Sequence, residues 1–160
     1  MKPVGVLLAV GVLVLSIGQM GFSQYGPHPP APQPAPSTPT VQPQAGDVKT
    51  ELKTAITHAG YSADADAMSS VQQHLGHTLN CIEGTKGRNF NQSWGHVCQG
   101  QGNGILVDLK ATQGGPALML VAEQAESLAV AGLKSKDLAE TKNAAKGVGA
   151  LLTVVADNLK

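Results

Sequence analysis

Residues 68–82 read MSSVQQHLGHTLNCI. Met68, Val71, Leu75, Thr78 and Ile82 recur in alternating steps of three and four, with Leu79 beside them. An α-helix turns once every ~3.6 residues, so this spacing puts the apolar groups on one stripe and predicts a helix in a bundle seam. His74, His77 and Cys81 fall together on a neighbouring face, offset from the seam by roughly 100°. Imidazoles three apart on a helix can converge on one ion, or can simply be polar groups at the edge of a core.

The flanking sequence repeats the helical pattern. Asp47 suits an N-cap, and Val48, Leu52, Ala55, Ile56 and Ala59 follow at helical spacing before Gly60, the predicted stop. The helix of 68–82 is expected to start at Ser62 or Asp64 and to end at Gly84. Gly114-Gly115-Pro116 resets the chain, with Pro116 suited to the first helical position. Leu118, Val121, Ala125 and Leu128 then form a stripe that ends at Gly132. Ser135 is the expected cap of a last helix striped by Leu138, Thr141, Ala145, Val148, Leu152, Val155 and Leu159. Ile105–Leu109 is the one ambiguous run, either a short helix or a strand-like segment.

Short connections within the first pair and the last pair make antiparallel neighbours. The expected architecture is all-α: an antiparallel four-helix bundle of two helical hairpins over 47–160. Residues 83–115 form its long crossover, with glycines at 84, 87, 95, 100, 102, 104, 114 and 115. Cys81 and Cys98 are the two cysteines of the chain. Outside the cytosol such a pair reads as a disulfide, which would close the crossover and contribute roughly 3 kcal/mol through the unfolded state.

The first residues carry one early positive charge, Lys2, and then an apolar run over Val4–Ile17 that ends near Gly21-Phe22-Ser23. This is the pattern of a signal peptide over 1–23. The run is short of the ~20 residues of a spanning helix. An uncleaved anchor is the alternative. Residues 24–46 hold prolines at 27, 29, 30, 32, 34, 36, 39 and 43. Proline fixes φ and lacks a donor, so this segment reads as an extended, disordered tether. The implied location is exported, periplasmic or secreted, with no stable membrane insertion once the leader is removed.

A formal net charge of zero, with no basic cluster, argues against nucleic acid as a partner. Gly100–Gly104 lacks the preceding strand and following Lys-Ser/Thr of a phosphate loop. Ser93 and His96 have nothing to orient them as nucleophile and base, and no carboxylate pair has a spacing that implies acid–base work. The reading is therefore non-catalytic.

The remaining chemistry is histidine. If Cys98 is tied to Cys81, the crossover folds back over the His74–His77 face. His96 is then expected beside them, under a roof of Phe90 and Trp94, and His58 of the first helix is a further candidate. His74, His77, His96 and His58 are thus the candidate ligands of a transition metal (Cu, Zn or Ni) or of non-covalent haem. The absence of CxxCH excludes covalent c-type attachment. A site of His74, His77, Cys81 and Cys98 as thiolates has zinc-like composition, but export disfavours it. The rival reading is a cofactor-free structural or interaction module of the cell envelope, partner unknown, whose histidines only secure the loop.

Overall fold

The computed structural model describes residues 46–160; the expected leader over 1–23 and the proline-rich segment through residue 45 lie outside the described residues. Five α-helices and no strand occur among the described residues: α1 Val48–Asp64, α2 Met68–Glu83, α3 Ile105–Ala111, α4 Met119–Lys134 and α5 Leu138–Asn158. Among the four long helices the main packings are α1 on α2 and α5, and α4 on α5 and α2, with α2 also touching α5. Leu52, Leu75, Leu79, Ile82, Leu109, Val148 and Leu152 fill the centre. The core is aliphatic because only three aromatics follow residue 46.

Asp47 caps α1 as expected, its carboxylate accepting from Thr50 N–H at 3.2 Å. The helix does not stop at Gly60. Gly60 sits on the exposed face with helical backbone, and beyond it Ser62 and Ala63 are still buried, so core contact carries the helix to Asp64. Ser62 therefore does not start α2. It donates instead to Val71 O at 2.7 Å, across the α1–α2 corner. Neither it nor Asp64 caps α2, which begins at Met68 behind Ala67 without a side-chain cap.

The ambiguous 105–109 run is helical, as part of α3. Pro116 lies in a 3-10 turn, Gly115–Leu118, and α4 begins only at Met119. The face of α4 turned inward is Ala122, Ala125, Ala129 and Gly132; the larger Leu118, Val121 and Leu128 stand half-buried at its flanks. Small residues face the core because α5 comes close: a Cβ on Gly132 would lie 2.7 Å from Ala144 Cβ. Asp137, not Ser135, caps α5, accepting from Glu140 N–H at 2.8 Å, while Ser135 Oγ donates to Glu140 at 2.7 Å. The α5 stripe from Thr141 to Leu159 is buried along the spacing read from sequence.

The crossover is ordered by three devices. Cys81 and Cys98 are disulfide-bonded, Cα atoms 5.3 Å apart, both sulfurs in the core. Buried Asn80 uses both ends of its amide: Nδ2 donates to Asn91 O and Gly95 O, and Oδ1 accepts from Asn91 N–H. The third device is a carboxyl pair. Glu51 of α1, fully buried, accepts from Gly104 N–H at 2.9 Å. Asp108 of α3 accepts from the Asn103 N–H and side-chain amide at 2.8 and 2.9 Å. Gly84 ends α2 at φ 69°, where a Cβ would strike Asn103 O, so this position demands glycine.

Candidate functional site

Leu52, Ala55 and Ala59 turn one face of α1 into the core, and Val71, Leu75, Thr78 and Ile82 do the same for α2. His58 precedes Ala59, and His74 and His77 each precede a core position, so all three stand on helix flanks. The connection Ala65–Ala67 returns the chain directly, and Thr78 Oγ1 reaches Ala55 O at 3.3 Å, which draws the two flanks together. Three half-buried imidazoles result, on two helices.

Their geometry is convergent. His58 Nδ1 lies 3.3 Å from His74 Nδ1 and 3.2 Å from His77 Nδ1. One nitrogen from each ring falls within 4.8 Å of the others. The ring of His58 is edge-on to His77, with centroids 4.9 Å apart, and tilted against His74 at 5.4 Å. Tyr61, one turn beyond His58, stacks edge-on to both His58 and His74 at 5.5 Å.

Burial pushes the His58 imidazolium down to about 4, helped by His77 and His74. Burial also lowers His77, while the Trp94 carbonyl pulls the other way. A neutral imidazole has one N–H and one lone pair. Three such rings with Nδ1 atoms facing one another place lone pairs together unless a proton or cation lies between them.

The crossover reaches this group by its backbone. Gln73 amide nitrogen donates to Trp94 O and stands 3.1 Å from His77 Nε2. A Cβ on Gly95 would sit 3.4 Å from the same Nε2, and the φ of Gly95 is 87°. The Gln73 amide N–H faces His77 Nε2 as a donor, and the Trp94 carbonyl lies beside the same ring.

Of the four histidines singled out from sequence, the fold brings His58, His74 and His77 together. His96 lies elsewhere, packed edge-on against Phe90 with centroids 5.3 Å apart. The reason is local. Asn80 holds Gly95 O, and Gly95 turns the chain beside His77, so the following side chain points to Phe90. Cys81 and Cys98 are joined to each other and are not thiolates. Tyr61 and Gln73 were not anticipated. Both carry a signal in hindsight, since Tyr61 is three residues after His58 and Gln73 is four before His77.

No family model matches the chain, and comparison with curated proteins and with solved structures finds no significant relative. Among the described residues no helix is long and apolar enough to cross a membrane. A disulfide together with that absence is compatible with an exported protein.

Proposed function

We propose that this is an exported, non-catalytic metal-binding protein, its four long helices arranged as an antiparallel bundle, that holds one transition-metal ion on His58, His74 and His77. The observation that carries this is the Nδ1 spacing of 3.2 and 3.3 Å. Two imidazole nitrogens bound to one tetrahedral ion at about 2.0–2.1 Å stand about 3.3–3.4 Å apart. Two of the three separations therefore match ligand spacing, and one nitrogen from each ring lies within 4.8 Å of the others. Imidazole nitrogens, with no carboxylate in the group, suit Cu(II), Zn(II) or Ni(II), with Cu(II) tightest in the general order of affinities. Three ring nitrogens within 4.8 Å of one another favour an ion over haem, whose axial positions lie on opposite faces of a plate. A fourth position is left for water or an exogenous ligand.

A second reading has its own support: Gln73 bonds the Trp94 carbonyl and touches His77, as expected if the histidine face secures the crossover in a cofactor-free envelope module. The two separate by titration. Untagged protein from an oxidising compartment should take up one Cu(II) or Zn(II) per chain by calorimetry. His58→Ala should weaken binding at least 100-fold while His96→Ala leaves it unchanged. Absence of stoichiometric binding, or equal binding by His58→Ala, would leave the cofactor-free reading.

A further inference from the structure

A cleft of about 400 Å³ opens beside the Gln92–Trp94 turn, between the crossover, α2 and α4. Its lining is of two kinds. Leu79, Val130, Leu133, Phe90 and Trp94 are apolar; Arg88 and Lys134 are the exposed cations. The polar amides beside them are committed internally. Asn89 donates to Glu83 and Glu126, and Asn91 binds Ser93. Glu126 also draws on Arg88, whereas Lys134 has no ion pair among the described residues.

The walls are built in advance. Trp94 lies on α2 at Gly76, where a Cβ would come within 2.3 Å of the indole. Asn80 fixes the backbone on both sides of Trp94, the disulfide anchors Cys98, and His96 braces Phe90. Small-molecule sites are concave, mostly apolar, largely preformed and roughly 300–1,000 Å³ in volume, with a few polar groups that orient the ligand. Here the charged groups of the lining are both positive.

We infer that this cleft binds a small organic anion with an apolar body, such as a medium-chain or aromatic carboxylate, with the body between Phe90 and Trp94 and the carboxylate toward Lys134 and Arg88. The site is separate from the histidine group and does not depend on a metal. It also gives His96 a place: a brace for an aromatic wall.

Trp94 is the only tryptophan of the chain, so its emission reports the cleft directly. The exported, untagged protein is titrated with decanoate, decanol and decylammonium, each below its micelle concentration. Decanoate should change Trp94 emission saturably and bind about tenfold more tightly than decanol, with decylammonium weakest. In Arg88→Gln/Lys134→Gln, decanoate should fall to the affinity of decanol while decanol itself is unchanged. Phe90→Ala, a half-buried wall residue, should weaken both. No saturable response to decanoate, equal binding of the ammonium, or full decanoate affinity in the double variant would each overturn the assignment.

Discussion

His58 Nδ1 on α1 stands 3.2 Å from His77 Nδ1 on α2, across nineteen residues of sequence. Burial lowers both imidazolium groups, His58 to about 4. The pair is thus held at ligand spacing, and at hydrogen-bond spacing where one Nδ1 carries the proton.

Proton competition at His58 should be weak. The His58 value of about 4 is below the ordinary 6.5, so the ring stays deprotonated through mildly acid pH. The slope of Zn(II) affinity against pH between 7.5 and 5.5, measured by chelator competition, should therefore be no steeper in the parent than in His58→Ala. The metal-free protein should respond differently. A folded-state value below the unfolded one means protons bind the unfolded chain preferentially. Stability is then complete above about pH 6.5 and falls as pH drops toward 4, by roughly 1–2 kcal/mol after solvent screening. Urea midpoints of the metal-free protein at pH 7 and 5 would show it, and Zn(II) should offset the loss.

The carboxyl pair works in the other direction. Burial raises Glu51 from 4.5 to about 7, with Asp108 adding to the rise, and its Oε2 receives no donor from the protein. A proton on Glu51 would relieve the repulsion between it and Asp108. A folded value above the unfolded one gives stability that is complete below about pH 4.5 and lost as pH rises through 7. Glu51→Gln mimics the protonated form, so it should be more stable than the parent at pH 8, by about 2–3 kcal/mol. Near pH 4.5 the two should unfold together in urea.

Two glycine-to-alanine changes should have opposite signs. A Cβ on Gly60 meets nothing within 4 Å, in the interior of α1, so Gly60→Ala should stabilise by about 0.5–1 kcal/mol. On Gly132 it meets Ala144 Cβ at 2.7 Å and Leu75 Cδ2 at 3.0 Å. Gly132→Ala should destabilise by about 1–3 kcal/mol through overpacking, despite the same gain in helix propensity. Thermal melts of both variants check this.

Removal of the disulfide should cost about 3 kcal/mol, since Cys81 and Cys98 are 17 residues apart. Cys81→Ala/Cys98→Ala should keep its helical circular dichroism while Trp94 emission moves toward that of exposed indole. Amide exchange should rise first over 91–98, where side-chain amides, those of Asn80, Gln73 and Gln101, then hold the backbone.

The all-helical class, the α5 stripe and the Asp47 cap were legible because they depend on neighbours three or four residues away. The disulfide was legible from the expected compartment and cysteine count. The helix ends at Gly60 and Ser135 were misplaced for a shared reason. A glycine or serine is a stop or cap only if no better arrangement competes, and buried Ser62 and the Asp137 carboxylate supplied one. The α4 stripe rotated because α5 approaches closely at Ala144, which no single-helix pattern contains.

Periodicity along one chain segment determined which residues share a helix flank, and so placed His74 with His77, while the expected disulfide pointed to His96 beside them and left His58 as a further candidate. Only the packing of α1 on α2, with the direction Gly95 imposes on the crossover, decided between them. Relations within a turn follow from backbone geometry alone, whereas contacts between segments depend on how side-chain volumes fill the shared core.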